Sequence, residues 1–424
     1  MLATPELMLE TAQPHRLAAV VPTSLRKVPL YKDQPAIAPV LAEAEFTPSH
    51  LQRLPFITKH DIRRDFPNNF LGPNHDLEAL LDQELVELEH TAGTSEERTP
   101  LLLPRGWWAE QELRALSLNP TTARLLDCEP GARRVTLSSP VCSGDICFTG
   151  VPSRQERTIG KTLFLSLSRF PFLWGAADLE RIAAETIEWQ PRFLDLDPVY
   201  GAVFARYCET RGLRLPSLEF ILCSYEFVSV CHRRALERVF GVPVFDLYGS
   251  TETGHLLIET EQGQFRPSLE TAFLEVIEPD AGGIGELVVT TLTNPFMPLV
   301  RYRIGDLVEK LELPYATRYV LHGRARDAFR AANGRRITTR QIDQCFAHTP
   351  GILHYQLVQK AGAEFVLRYV PDGPGPGSDE LAGLGNQLEA LLELSAPVRC
   401  EKTDLLMPES SGKFRLGYPM PSAS

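Results

Sequence analysis

Cysteine is scarce in this sequence, and no two cysteines are spaced as a CxxC pair. Eight cysteines are spread over 424 residues, which is typical of proteins in a reducing compartment. The closest clusters, Cys142 with Cys147 and Cys223 with Cys231 and His232, lack the spacing of a zinc knuckle. We therefore expect no zinc site and, because the N-terminus has no basic signal segment, a cytoplasmic protein.

Basic runs and long apolar runs are also missing. The chain has 43 Lys and Arg against 54 Asp and Glu, a net charge of −11, which argues against nucleic acid or an anionic membrane as the main partner. The longest apolar stretches, residues 17–22 and 163–167, are far shorter than the ~20 residues that cross a bilayer. We therefore expect a globular protein whose partner is a small molecule or another protein.

What is present is an alternation of strand-like and helical segments. Residues 218–222 and 242–247 have the pattern of buried strands, and residues 232–240 between them have helical spacing. This order of strand, helix and strand predicts a parallel α/β unit. Residues 272–277 and 285–291 have strand patterns separated by a turn-rich segment, which predicts a β-hairpin.

The C-terminal part has a pattern of its own. Residues 352–359 and 364–370 predict strands, and residues 379–394 repeat Leu at helical spacing. We therefore expect an α/β protein with a large N-terminal domain, residues 1–323, and a small C-terminal domain, residues 324–424.

Two short segments have residue types suited to a nucleotide. The first offers backbone N–H groups and hydroxyls to phosphate oxygens; its residues are Thr91, Ala92, Gly93, Thr94 and Ser95. The second places a flat ring, a tight turn, two hydroxyls and a carboxylate in one loop; its residues are Tyr248, Gly249, Ser250, Thr251 and Glu252. Such a loop can stack on a purine, contact a phosphate and hold Mg²⁺, which takes oxygen ligands.

Three further segments follow. Residues 299–306 (LVRYRIGD) end in a carboxylate that suits two ribose hydroxyls. Residues 323–327 (GRARD) precede a second Arg-rich turn, residues 333–337 (NGRRI). Residues 411–415 (SGKFR) lie near the end of the sequence. Each alone is also typical of an ordinary turn or a charged surface. Their shared order is the stronger signal.

In this order and at these intervals the five segments resemble the adenylate-forming enzymes, which include acyl- and aryl-CoA ligases, peptide-synthetase adenylation domains and luciferase. Within them the chain is similar to the phenylacetate-CoA ligase branch, whose relatives include coenzyme F390 synthetases, because residues 28–31 (VPLY) and 54–62 (LPFITKHDI) match its opening segments. The resemblance extends from about Leu25 to Gly417. It implies sandwiched α/β sheets and a distorted β-barrel in the large domain, with a mobile C-terminal lid.

The resemblance also implies residue roles. The first two segments would bind the nucleotide, with the Tyr248 ring on adenine, the Thr251 hydroxyl near the α-phosphate and Glu252 as the Mg²⁺ ligand. Asp306 matches the ribose-binding carboxylate. The other implied positions are the ribose or phosphate contact Arg324, the hinge Arg326 or Asp327, and the catalytic Lys413. The acid pocket would draw on the residues Ser138, Ser139, Cys223, Ser224, Tyr225, Glu226 and His255.

The implied reaction uses ATP and Mg²⁺ to convert a carboxylic acid, aromatic or heteroaromatic in this branch, into an acyl-adenylate. The acyl group then passes to a thiol, with coenzyme A favoured and a carrier protein or an amine as alternatives. Attack of a carboxylate on the α-phosphorus brings anions together, so Lys413 and Mg²⁺ must offset the charge. The resemblance also implies that the small domain turns to present a different face for the second step, so Lys413 should matter only to the first half-reaction. Members of the branch also lead us to expect a homodimer.

The phosphate-binding segment departs from the family pattern. Thr94 is followed by Ser95, Glu96 and Glu97, where the family commonly has a second Gly and a Lys. Two acids beside a polyphosphate are unfavourable unless they face solvent or the metal, and Arg98 could supply the missing positive charge. A second hypothesis therefore stays open: an altered member that binds nucleotide or acyl-adenylate without efficient turnover. The intact charged residues of the other segments favour the enzyme.

Overall fold

The computed structural model describes the chain except residues 1–4, 73–74, 92–97, 141–151, 166–167, 261–262, 315, 362–363 and 421–424. Its α-helices in chain order are Pro5–Lys27 (α1), Pro29–Lys32 (α2), Ile37–Leu41 (α3), Pro48–Leu51 (α4), Lys59–Arg63 (α5), Leu77–Asp82 (α6), Trp107–Leu116 (α7), Pro120–Cys128 (α8), Ala176–Trp189 (α9), Pro198–Arg211 (α10), Val230–Phe240 (α11), Thr339–Gln344 (α12) and Ser378–Leu392 (α13).

The strands in chain order are Val86–His90 (β1), Pro100–Pro104 (β2), Arg134–Leu137 (β3), Thr158–Ile159 (β4), Thr162–Phe164 (β5), Phe193–Leu196 (β6), Phe220–Cys223 (β7), Val244–Ser250 (β8), Gly254–Glu259 (β9), Phe265–Pro267 (β10), Ala272–Ile277 (β11), Ile284–Thr291 (β12), Tyr302–Leu313 (β13), Ala316–Arg324 (β14), Phe329–Arg330 (β15), Arg336–Ile337 (β16), Ile352–Gln359 (β17), Phe365–Pro371 (β18), Arg399–Lys402 (β19) and Gly417–Tyr418 (β20).

The chain folds into two compact units. The first comprises residues 1–123 and 247–320. Its strands are ordered β11-β12-β13-β14-β10-β9-β8, and β1 pairs with β2 in a separate hairpin. The predicted hairpin is confirmed, because β11 and β12 pair antiparallel from Ala272 opposite Thr291 to Ile277 opposite Glu286. This sheet carries residues 248–252, the second nucleotide segment, and most of residues 299–306.

The second unit comprises residues 124–246 and 321–424. Strands β3, β6, β7 and the start of β8 run parallel, which confirms the predicted strand, helix and strand order around α11. A second sheet has the order β19-β18-β17-β20. Apolar residues of α9, α10 and α11 pack on the parallel strands, with the ring of Phe414 in the same cluster.

The α/β fold class is confirmed by this architecture. The second unit contains both the middle of the chain and its C-terminal part, so the division of the chain at residue 323 stays a prediction. Among the helices that the structure describes, none combines the length and the apolar character needed to cross a bilayer.

Candidate functional site

A tight turn in the first unit carries the second nucleotide segment. Strand β8 ends at Ser250 and β9 begins at Gly254, and Ser250 Oγ lies 3.0 Å from Thr253 Oγ1. A Cβ at Gly249 would lie 2.2 Å from the backbone oxygen of Gly254. The two strands therefore approach so closely at this point that only glycine fits.

The predicted adenine-stacking ring and the predicted ribose carboxylate lie side by side. The Tyr248 hydroxyl donates a hydrogen bond of 2.7 Å to Asp306 Oδ2. Asp306 lies in β13 just after Gly305, whose φ of 85° is in the left-handed region, and its carboxylate is buried. The structure thus brings together two residues that are 58 positions apart in the sequence.

Glu252, the predicted magnesium ligand, is a buried carboxylate with two donors on one oxygen. Its Oε1 accepts a 3.0 Å hydrogen bond from the Tyr302 hydroxyl and lies 3.0 Å from the Lys59 ammonium. Burial alone would raise the pKa of Glu252, but the Lys59 charge and local hydrogen bonds outweigh burial and lower that pKa to about 2. The carboxylate is therefore ionised at neutral pH, as a cation ligand must be.

Lys59 and Tyr302 are functional candidates that sequence reasoning missed. Both lie inside segments that were matched to the family, but nothing in their spacing indicated that they would face Glu252. Lys59 is the first residue of α5, where the Asp61 carboxylate accepts a hydrogen bond from Thr58 N at 2.9 Å. An isolated β-bridge between Ile57 and Tyr302 holds this segment on β13. The bridge is a tertiary contact that the local pattern does not reveal.

Replacing Lys59 with methionine is expected to lower the free energy of unfolding more at neutral pH, where Glu252 is ionised, than at acidic pH. A carboxyl with a lowered pKa stabilises the fold above its ordinary pKa of 4.5 and loses that contribution as the pH falls towards about 2. Lys59 is 41% exposed, so we expect a loss of about 1 kcal/mol at neutral pH, shrinking at acidic pH. Denaturant unfolding of the wild type and the variant, at neutral pH and at acidic pH, measures this loss.

Lys310→Met is the matched control, because Lys310 pairs with the exposed Glu312 in the same unit. It should change stability by less than about 0.5 kcal/mol at either pH. An equal loss for Lys59→Met at neutral and acidic pH would contradict the coupling between Lys59 and Glu252.

The first nucleotide segment is described only at its ends. Thr91 N donates to Thr99 O at 3.0 Å, and Thr99 N donates to Thr91 Oγ1 at 3.0 Å, so these two residues close the segment. Residues 92–97, which include Ala92, Gly93, Thr94 and Ser95, lie outside the described residues. Their phosphate-binding role, and the effect of the two acids, stay predictions.

His255 and Thr251 flank the Glu252 turn. His255 is buried in β9, and its ring centroid is 4.6 Å from that of Trp108, with the planes at 54°. Thr251 is half-buried at the start of the turn. The structure thus gives His255 an aromatic neighbour, Trp108, in the first unit.

The second unit gathers most of the predicted acid-pocket residues and the predicted catalytic lysine. Lys413 Nζ donates to Tyr225 O at 3.0 Å, and Phe414 N donates to Glu226 Oε1 at 2.6 Å. Ser224 Oγ donates to Asp195 Oδ1 at 3.0 Å. Asp195, the third residue of β6, is a third candidate that the sequence pattern missed, after Lys59 and Tyr302.

The buried serines of this unit lie at the end of β3. Ser138 and Ser139 are both almost fully buried. A Cβ at Gly412 would lie 2.3 Å from Ser139 Oγ, so the backbone beside Lys413 packs directly on Ser139. The order of these residues in the sequence does not indicate this contact, because 273 positions separate the two residues.

The predicted hinge residues form ion pairs with the segment around Lys413. Arg326 lies 2.9 Å from Glu409, and Asp327 lies 2.7 Å from Arg415. Burial raises the pKa of Asp327, while the charge of Arg415 opposes that shift. Arg324 ends β14 immediately before the single turn that contains both hinge residues.

The cysteine clusters do not form a metal site in the part of the chain that the structure describes. Cys223 and Cys231 are buried free thiols, and burial raises the pKa of both. No group of three or more His, Cys, Asp and Glu side chains suited to a metal occurs among the described residues. Cys142 and Cys147 lie outside those residues, so the absence of zinc stays a prediction.

Comparisons with known proteins find relatives in sequence and in structure. No protein-family model matches the chain. The phenylacetate-coenzyme A ligase of Thermus thermophilus is 25% identical over 323 residues, 72% of this chain and 66% of that protein. The enzyme of the same name from Pseudomonas putida is 25% identical over 67% of this chain and 62% of its own length. The matches thus span less than two thirds of the length of these relatives.

Solved structures show the same fold. A 2-hydroxyisobutyryl-CoA ligase in the postadenylation state matches with a TM-score of 0.67 at 18% identity over 99% of this chain and 90% of that one. The anthranilate CoA ligase AuaEII matches with a TM-score of 0.54 at 13% identity over 78% of this chain and 65% of that one.

The fold is therefore that of the adenylate-forming CoA ligases. In sequence the chain is similar to phenylacetate-coenzyme A ligases, at 25% identity.

Proposed function

We propose that this protein is an AMP-forming acid–thiol ligase. It would use ATP to activate a carboxylic acid as an acyl-adenylate and then transfer the acyl group to coenzyme A. The observation that carries the proposal is the pairing of Tyr248 with Asp306 beside the ionised Glu252 in one unit. In the second unit, Lys413 Nζ donates to the backbone oxygen of Tyr225, and its ammonium would provide the positive charge that adenylation needs.

Tyr248, Asp306, Glu252 and Lys413 would each act in the first half-reaction. The ring of Tyr248 would bind adenine, and Asp306 would accept hydrogen bonds from the ribose. Glu252 fits a magnesium ligand because its carboxylate is ionised and because such sites combine one or two protein carboxylates with substrate phosphates. The metal would offset phosphate charge. Lys413 would stabilise the charge that develops between the incoming carboxylate and the α-phosphate.

Lys59 places a positively charged ammonium beside Glu252. Its ammonium is 41% exposed, so it can move away from the carboxylate at low cost. Lys59 would then be able to turn from Glu252 to a phosphate oxygen. This proposal adds positive charge to a site whose phosphate-binding segment lacks the usual lysine.

We also propose that the acid is aromatic and that the acceptor of the acyl group is coenzyme A. The named relatives are phenylacetate-coenzyme A ligases, which favours an aromatic acid and coenzyme A over a carrier protein or an amine. Residues 324–424 would act as a lid that moves between the two half-reactions. A cytoplasmic location and a homodimer remain expectations from the sequence.

The proposal is tested by exchange of labelled pyrophosphate into ATP, measured with a panel of aryl and aliphatic acids in the presence of Mg²⁺. We expect exchange that depends on the acid and is strongest with an aromatic member of the panel. ATP binding without exchange for any acid would favour the altered, non-turnover protein instead.

A further inference from the structure

The segment that carries Lys413, residues 409–415, forms a compact loop that we call the lysine loop. Glu409 N donates to Lys413 O at 2.7 Å, and Gly412 N donates to Glu409 O at 2.9 Å. Gly412 has a φ of 85°, a conformation that favours glycine. These bonds fix the internal shape of the loop but not its placement on the rest of the second unit.

Two consecutive residues, Tyr225 and Glu226, form hydrogen bonds with Lys413 and Phe414 of the lysine loop. Tyr225 O accepts the hydrogen bond of Lys413 Nζ at 3.0 Å. Glu226 Oε1 accepts the hydrogen bond of Phe414 N at 2.6 Å. The second bond acts on the backbone directly after Lys413, so it fixes the direction in which the lysine side chain leaves the chain.

A separate contact anchors the same loop by packing. The Phe414 ring lies 5.7 Å from the ring of Phe172, 5.3 Å from that of His354 and 6.5 Å from that of Tyr200, in edge-on arrangements. This aromatic anchor does not involve Glu226. Loss of the Glu226 side chain should therefore leave the loop attached and change only the orientation of its backbone.

The carboxyl group of Glu226 is buried, which disfavours its ionised form. Burial raises its pKa well above the ordinary range and the nearby Asp197 raises it further, whereas Lys413 and the Phe414 amide lower it. Tyr225, the preceding residue, has a φ of 76°, which is uncommon for a residue other than glycine. Strained backbone and buried carboxyls of this kind concentrate at functional sites.

We propose that Glu226 is a positioning residue that orients Lys413 through the backbone amide of Phe414. The proposal rests on the function proposed above for Lys413. It gives Glu226 a role different from the acid-binding role implied by the family resemblance. Glu226 would act on the rate of adenylation and not on the affinity for the acid.

Three variants test this role. Glu226→Ala removes the acceptor, Glu226→Asp keeps the carboxyl group but is one methylene too short to reach Phe414 N, and Glu226→Gln keeps an oxygen acceptor. We expect kcat for acid-dependent pyrophosphate exchange to fall about 10- to 100-fold in the first two, with the KM for the acid changed by less than about threefold. Glu226→Gln should retain most of the rate.

Hydrogen exchange of the Phe414 amide provides a readout that needs no substrate. The amide should be protected in the wild type and in Glu226→Gln, and should exchange at least about tenfold faster in Glu226→Ala and Glu226→Asp. Transfer of an acyl group from supplied phenylacetyl-adenylate to coenzyme A should not change in any variant. Thermal unfolding of Glu226→Gln and Glu226→Asp controls for a failure of Glu226→Ala to fold.

Two results would overturn the proposal. One is unchanged protection of the Phe414 amide in both Glu226→Ala and Glu226→Asp. The other is an increase in the KM for the acid at constant kcat, which would make Glu226 an acid-binding residue. Absence of exchange in the wild type with every acid would instead refute the proposed function, and the amide protection would still show whether Glu226 holds the loop.

Discussion

Replacing Lys413 with alanine is expected to lower acid-dependent pyrophosphate exchange by about 100-fold or more. The ammonium of Lys413 is held 3.0 Å from a backbone oxygen of Tyr225, where it can swing to a developing negative charge with little rearrangement. Loss of one charged donor at a phosphoryl-transfer centre commonly costs two to three orders of magnitude in rate. The exchange assay measures this directly.

The same substitution should spare the second half-reaction. Transfer from a supplied acyl-adenylate to coenzyme A should stay within about threefold of the wild type, because Lys413 lies in the lid proposed to move between the two half-reactions and would not act in the second one. Lys402→Ala is the matched control, since Lys402 is an exposed lysine of the same unit, and it should not affect either step. Equal losses in both half-reactions would show that Lys413 serves the structure and not the adenylation step.

Replacing Gly249 with alanine is expected to destabilise the first unit by about 3 kcal/mol and to abolish measurable exchange. The new methyl group would meet the Gly254 oxygen at 2.2 Å and the His255 Cα at 2.9 Å. Both are backbone atoms, so the hairpin must open to make room. The Tyr248 and Glu252 side chains on either side would then be displaced.

A glycine in open space provides the control for this prediction. A Cβ at Gly383, in helix α13, would meet no atom within 4 Å, and alanine favours a helix over glycine by up to about 1 kcal/mol. Gly383→Ala should therefore be neutral or stabilising and fully active. Normal stability and activity of Gly249→Ala would contradict the close approach of β8 and β9. Denaturant unfolding and the exchange assay together distinguish these outcomes.

The local elements were largely predictable because their patterns agree with the tertiary environment. Strands β11 and β17 have the predicted bounds, and helix α11 begins two residues earlier than predicted, at Val230, where Ser229 accepts a hydrogen bond from His232 N. Hydrophobic periodicity records which face of an element is buried. It does not record which other element covers that face.

The partners within the site could not be predicted for that reason. Tyr248 and Asp306 were both identified, but the hydrogen bond between them follows from sheet pairing. Lys59 and Glu226 acquire their roles from contacts with residues 193 and 188 positions away in the sequence. A family resemblance transfers roles only to positions that match a known motif, and neither contact is part of one.

The sequence pattern also could not predict how the C-terminal part packs within the second unit. Leu353 and Val370 of the second sheet pack in one apolar cluster with Ala202 and Ala235 of helices α10 and α11. The sequence pattern predicted a small C-terminal α/β domain but did not indicate which helices its strands would contact. Contacts of this kind depend on the shapes of two surfaces, which are formed by residues far apart in the chain.

The most direct test of the central claim follows a single oxygen atom. The protein is incubated with ATP, coenzyme A and the best acid of the exchange panel, labelled with heavy oxygen in its carboxyl group, and the nucleotide product is analysed by mass spectrometry. Attack of the carboxylate on the α-phosphorus predicts one heavy oxygen in AMP after acyl transfer. Unlabelled AMP, or heavy oxygen in inorganic phosphate with ADP as the nucleotide product, would contradict activation through an acyl-adenylate.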